Sequence, residues 1–587
     1  MKRRGRRKQK QSLQIATFLK NLGTPQILIA AAIVVIVLIV LLIAIPFKKK
    51  ASGEAVKTHH ALYFTQEENA GLSYVDAESG KKKEMTDMLL YGKSMDVLAI
   101  ERTAETHKGL VQANADGSRI FFPAEMKKTD NFKLYYRDVN KKDSPSVVLA
   151  ADVSSYTINK DGSLVTYKLN DGVLYQHDLN ERKQISDSVT SYYVSDDGKE
   201  VVYTTTERKA FWYSDGESSQ IGKEISSINA FSGDGTKVYY TKDQNFYVKQ
   251  QGKKAVKIDK DVNSICAVYD SGEVYYAKQS SKELALKDYI KKDKKTAEDV
   301  VNAIDAHQIE WNAYELFYYD GAKTKSIAKN VDYEDVKAAN DRAVIMYSVC
   351  DMKNAEKVKS STIKQTWLID RAMTEVIESA KEYQVAVEGK KASVGQNNIE
   401  TAYVAQNGNT IYFIANVEQN ESGSSLVFGD LYKMSVSKDG AKKAKKYDED
   451  VYVNDIGFVG AEGVYYYKKV QQVNTFFQGE LFVNKESVSE KAKVGSAICY
   501  QATGSDAVYF FESWQYQKSM GTFQKYEDGK VATISGTAHS FCVTPAGEVL
   551  FIGKYNVDKF TGKLYIYEGD KTKKIDDNVV AIIGQNK

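Results

Sequence analysis

The chain is poor in proline, cysteine and histidine: its 587 residues include five prolines, four cysteines and six histidines. Scarce proline suits a fold that needs many backbone N–H donors for strand ladders, because proline has none to give. Four cysteines without a C-x-x-C pair predict no disulfide framework. The histidines are His59, His60, His107, His177, His307 and His539. They form neither H-E-x-x-H nor H-x-H, so no metal ligand is nominated. No G-x-S-x-G elbow, P-loop or helix-opening G-x-G-x-x-G occurs, so no catalytic or cofactor-binding residue is nominated and no cofactor is expected. Ser435-x-x-Lys438 is a chance-level match beside an Asp-Gly turn. The cluster Asp448, Glu449, Asp450 reads as a solvated loop rather than a metal site.

The N-terminus lacks acid. Residues 1–24 carry eight basic side chains and no carboxylate, and Lys48, Lys49 and Lys50 add three more. Residues 51–587 hold 70 basic and 77 acidic groups, a net of −7 that makes nucleic acid a poor partner. Between the basic clusters, Ile27 to Ile45 is an unbroken apolar run. At ~1.5 Å rise per residue it matches a ~30 Å hydrocarbon core. The run exceeds a signal-peptide core, and the stronger basic cluster precedes it. The expected organisation is a cytoplasmic tail at 1–24, an uncleaved transmembrane signal anchor at 25–47, a short tether at 48–60 and an extracytoplasmic body at 61–587. The cytoplasmic membrane, engaged through residues 27–45, is therefore an expected partner.

The body repeats. TINKDGSLVTYK, YVSDDGKEVVYT, AFSGDGTKVYYT and AVYDSGEVYYAK place Gly162, Gly198, Gly235 and Gly272 at intervals of 36, 37 and 37 residues. A fixed period in an all-β unit indicates propeller blades. A third-strand signature recurs at Leu72, Leu134, Leu174, Phe211, Phe246, Leu316, Leu368, Leu431, Leu481, Phe523 and Leu564, giving up to eleven units. That number allows one large ring or two rings divided near residues 330–400, since most propellers have ~4–8 blades. LFYYDGAKTKSIAKNV from Leu316 and LYIYEGDKTKKIDDNV from Leu564 agree at nine of sixteen positions. Residues 282–310 between them lack alternation. Thr296 with Asp299 suggests a capping box, and Val300, Val301 and Ile304 a helical face, so a helical insertion is expected there. Further irregular stretches run from 351 to 364 and from 379 to 397.

Units open on patterns such as DVSSYTINKDG, and the chain ends DDNVVAIIGQNK. The first unit lacks an opening strand, so Val579–Ile583 is expected to complete it and close the array. Cys266, Cys499 and Cys542 fall in the same inner-strand slot, where a small buried residue is the expected role. Cys350 lies in another strand-like run. The 40 tyrosines read as cross-strand packing, and Trp212, Trp311, Trp367 and Trp514 are scattered.

The turns S-D-D-G-K, S-G-D-G-T and N-K-D-G-S resemble those of TolB-type propeller repeats, over roughly residues 150–280, without that motif's usual proline. The resemblance implies an extracytoplasmic binding role. The expected function is thus a membrane-anchored, non-catalytic propeller that binds an envelope protein, a peptide or a cell-wall polymer. The alternative is a propeller enzyme of glycosidase or lyase type, with its site at the channel mouth.

Overall fold

The computed structural model describes residues 58–66, 70–87, 111–128, 131–141, 144–396, 398–418, 426–500, 504–568 and 571–583. The expected tail at 1–24, the expected anchor at 25–47 and residues 48–57 of the expected tether lie outside the described residues. Among those described, no helix is long and apolar enough to cross a membrane.

Among the described residues, the strand pairings divide into eleven successive antiparallel units along the chain, several of them joined into larger sheets by shared strands. We number these blades 1 to 11. They occupy residues 60–86, 112–153, 153–186, 189–222, 225–259, 264–331, 331–393, 399–451, 457–493, 498–538 and 538–579. Strands within a blade are A to D, with A following D of the blade before. Some strands serve two blades. Val147–Ile158 pairs with Asn131–Asp138 through residues 147–153 and with Val165–Leu169 through residues 153–158.

These bends have a sequence cause. A residue in the left-handed region precedes a buried β-branched residue at Asp152-Val153, Ser188-Val189, Glu224-Ile225, Asp261-Val262, Asn330-Val331, Asn398-Ile399, Asp450-Val451 and Asn578-Val579. Asp and Asn tolerate positive φ better than other side chains with a Cβ. The bend carries the chain from the outer edge of one sheet to the inner strand of the next. The β-branched residue is then driven into the seam between blades.

The Asp-Gly turns between strands A and B do two things. The glycine takes positive φ, +68° at Gly162 and +78° at Gly198. It also makes room for the blade before: a Cβ on Gly198 would stand 2.7 Å from Asn159 Cβ. Asn159 accepts the Leu164 N–H at 2.9 Å and donates to the Asp197 carbonyl at 3.1 Å, so the side chain that closes one turn grips the next. Asn114 repeats this toward Asp161.

Each blade packs on its successor through apolar side chains, from blades 1, 2 and 3 through to 10 and 11. A further cluster joins blade 11 to blade 1. B strands lie between two neighbours and are buried on both faces, as in Ile411, Tyr412, Phe413, Ile414 and Ala415, all 0 % exposed. The C-terminal strand Lys571–Ile583 closes the series. It pairs with Thr561–Glu568 and then with His60–Thr65, matching Leu62 to Ile583 and Tyr63 to Ile582. Blade 7 fills residues 331–393 and shares apolar seams with both neighbours.

Several expectations need correction. His59 and His60 belong to the ring and not to the tether: His60 begins the first strand and is buried, with its Nδ1 2.7 Å from the Tyr74 hydroxyl. The insertion expected at 282–310 is shorter. Val274–Ala285 and Gln308–Tyr319 pair along twelve positions, and the helix between them is Glu298–Ala306. Thr296 forms no capping box, because its hydroxyl bonds Asp293 Oδ1 at 3.0 Å and the helix N-cap is Ala297. Leu368 is not in a third strand. It precedes the helix Ile369–Ser379, and strand C of blade 7 is Lys381–Val387. The irregular stretch from 379 to 397 holds that strand and Lys390–Ser393.

Candidate functional site

In an up-and-down blade the B–C connections and D–A bends fall on one face of the ring, and the A–B and C–D turns on the other. The chain inserts twice on the first face, between strands B and C of blades 6 and 7. These insertions make one lobe. Ile290 and Lys291 pair in parallel with Val358 and Lys359. Leu286, Val300 and Ile304 from the first insertion pack with Ile369, Met373 and Ile377 from the second. Ser360 accepts the Asp293 N–H at 3.0 Å, and His307 Nε2 stands 3.2 Å from Asp370.

The helix Ile369–Ser379 has two faces. Ile369, Ala372, Met373, Val376 and Ile377, at helical spacing, are buried in the lobe. Arg371, Thr374, Glu375 and Glu378 face a cavity of about 1070 Å³. Glu334, Asp335, Glu356, Lys381, Tyr383 and Glu400 also line it. The walls thus hold six carboxylates and two cations.

Both cations are already paired, and Arg371 Nε lies 3.2 Å from Glu375. Lys381 is 7 % exposed and lies 3.0 Å from Asp332, 3.0 Å from Asp335 and 2.7 Å from Glu378. Burial works against its charge, but those carboxylates outweigh it and hold the ammonium protonated well above the usual lysine range. Lys381 therefore cannot serve as a neutral amine nucleophile. Its role is to fix Asp335, which also accepts bonds from Ser348 and Tyr383. The Tyr383 hydroxyl donates to the Ile399 carbonyl at 2.8 Å and ties blade 7 to blade 8 beneath the groove. Glu375, paired with Arg371, and Glu378, paired with Lys381, are each 54 % exposed. Trp367, one turn ahead of Arg371, is 72 % exposed.

On the same face, Asp455 occupies the bend after blade 8 in a left-handed conformation, φ +89°. Burial pushes its carboxyl up to about 6, against the bond it accepts from the Gly495 N–H at 2.6 Å.

The residues singled out in the sequence do not assemble into a site. Cys266, Cys499 and Cys542 lie on A strands and Cys350 on a B strand, and all four thiols are free. Burial pushes the thiols of Cys266, Cys350 and Cys542 up to about 12, which makes them inert at neutral pH. His177 accepts the Leu179 N–H, His539 stacks on Tyr555, and His107 lies outside the described residues. Asp448 is a strand residue rather than part of a loop. Burial would raise its carboxyl, but bonds from Tyr466 and Lys468 hold it below the ordinary range. Ser435 and Lys438 lie at the end of strand Phe428–Ser437. Trp212 and Trp311 are buried. The groove escaped the sequence reading because a helix, a bend and two strand starts build it together. The one legible signal was the apolar spacing of 369, 372, 373, 376 and 377.

No family model matches the chain, and no curated protein matches it. Among solved structures the chain is similar to the tricorn protease, at 12 % identity and TM-score 0.24, over 88 % of this chain and 57 % of that one. It is similar to Porphyromonas gingivalis dipeptidyl peptidase 4, at 12 % identity and TM-score 0.31, over 72 % and 59 %. It is also similar to the β-propeller domain of the Trilobed protease from Pyrococcus furiosus, at 12 % identity and TM-score 0.24, over 57 % and 98 %. The chain thus spans less than two thirds of the first two proteins. The β-propeller assignment rests on the strand pairing above.

Proposed function

We propose that this protein is an envelope binding protein, held at the cytoplasmic membrane through residues 27–45, whose groove takes a cationic segment of a protein, peptide or wall polymer. The observation that carries this reading is the charge of the groove: six carboxylates face two cations, and both cations, Arg371 and Lys381, are already paired within it. The TolB-like turns support an envelope role. The cavity is at the top of the ~300–1,000 Å³ range of small-molecule sites, which suits several residues of an extended chain. Exposed carboxylates contribute up to ~1 kcal/mol each to a cation, so a few engaged together give affinity that falls steeply with salt.

The test is titration of a fluorescent oligolysine into the protein. Glu375→Lys combined with Glu400→Lys should weaken binding at least about tenfold. An equal charge change on the opposite face, Asp439→Lys with Asp528→Lys, should leave it within about twofold. Equal loss in both pairs would reduce the effect to net charge and overturn the reading.

A second reading, an enzyme working on the same face, draws on Asp455, whose raised carboxyl could transfer a proton near neutral pH. Turnover of wall fragments that Asp455→Asn abolishes while oligolysine binding persists would favour it.

A further inference from the structure

On the turn face, blades 5 and 6 enclose a second cavity, of about 180 Å³. Lys237 at the start of strand B, and Lys253 and Lys254 in the C–D turn, line it. Tyr239 and Tyr319 form a buried floor whose hydroxyls are turned to backbone: Tyr239 toward the Gly272 carbonyl at 3.4 Å, Tyr319 to that of Gly321 at 2.8 Å. Gly272 takes φ +91°, and a Cβ there would meet Lys237 Nζ at 3.0 Å, so the glycine leaves room for the ammonium. Val248 and Val256 supply an apolar wall, with Val256 57 % exposed.

The charges are unbalanced. Among the described residues, Lys237 and the exposed Lys253 and Lys254 have no carboxylate within ion-pair distance, unlike Lys278 on Asp259 and Lys468 on Asp448. Asp234 is near enough to feel Lys237, but its oxygen is taken by Ser232 and Thr236. Lys253 bonds only Gln250, at 2.8 Å. Lys237, Lys253 and Lys254, lining one small recess beside Tyr239 and Tyr319, suit a compact oxyanion. The apolar wall beside it suits a carbon chain esterified to that anion. We propose that this recess binds a phosphoryl group carried on a small organic moiety. The phosphoryl oxygens meet Lys237, Lys253 and Lys254, and the ester carbons lie against Val248 and Val256. Thr58 lies on the same face, where its carbonyl accepts the Ala546 N–H of an A–B turn. A lipid headgroup and a soluble phosphate ester share this chemistry.

The test is amine-acylation footprinting of the full-length chain in nanodiscs, read by mass spectrometry at Lys237, with Lys249 as the reference. In one arm the nanodiscs are phosphatidylcholine and glycerol phosphate is added. In the other they contain phosphatidylglycerol and no soluble ester is present. We expect Lys237 labelling to slow about tenfold in at least one arm. Protection in the first identifies a soluble ester, and protection only in the second a headgroup. Lys253→Gln with Lys254→Gln should remove the protection, and Lys257→Gln, a folding and charge control on the same blade, should keep it. Protection in neither arm, or protection that survives the double substitution, overturns the proposal.

Discussion

Ending the chain after Asn578 removes the A strand that blade 1 borrows. Val579, Val580 and Ile583 are 0, 2 and 3 % exposed, and they fill the seams on both sides of blade 1. Each fully buried aliphatic side chain stabilises by ~1.5–3 kcal/mol, so the loss is about 5–9 kcal/mol before the ladder hydrogen bonds to residues 62–65 are counted. That is comparable with the whole stability of an ordinary domain, ~5–15 kcal/mol. Blade 1 should therefore detach while blades further round the ring keep their seams. Hydrogen exchange at residues 60–65 and 71–76 should rise toward the unfolded rate, and thermal unfolding should gain an early transition. Ile583→Ala, a gentler change worth ~2–5 kcal/mol, should move both readouts in the same direction. If the shortened chain kept its midpoint and its protection at residues 60–76, the closure argument would be wrong.

Asn330→Val should destabilise by about 1–2 kcal/mol or more in chemical denaturation, because the bend needs positive φ there, whereas Asn330→Gly should be near neutral. His59 is raised by its bond to Glu548, so that contact stabilises fully below ~6.5 and is lost as pH rises through the higher folded value. The pair is partly exposed and worth less than ~1 kcal/mol, so protection at residues 60–65, corrected for the intrinsic exchange rate at each pH, should be slightly higher at pH 6 than at pH 8, and His59→Gln should abolish the difference. Asp455 is also raised, to about 6, so the fold favours its neutral form and loses stability as pH rises through that value. Asp455→Asn should therefore stabilise at pH 8 by up to ~3 kcal/mol and be nearly neutral at pH 4, as read from unfolding midpoints.

Most of the fold was legible because it is local. The glycine period, the Leu316 and Leu564 match, and the unpaired terminal strand each report a turn or a strand that neighbouring residues dictate. The matched segments even share the bend, with Asn330 and Asn578 at φ +58° and +55°. The failures have one cause. Leu368 looked like a strand start because Leu and Ile occur in both settings, and only the buried stripe from Ile369 to Ile377 marks the segment after it as a helix. His59 and His60 looked like tether because their partners, Glu548 and Tyr74, are remote in sequence or lie across a strand pair. The groove was illegible for the same reason. Glu334, Glu375, Lys381 and Glu400 come from four separate elements, and no spacing rule connects them.

The central claim is that the groove between the helix Ile369–Ser379 and the start of blade 8 receives a cationic chain. A photo-crosslinkable oligolysine bound to the full-length protein, with adducts mapped by peptide sequencing, tests it most directly. The account predicts adducts within residues 367–379 and 398–400, lost on adding salt or on Glu375→Lys with Glu400→Lys. Adducts spread evenly over the ring, or gathered on the turn face, would contradict it.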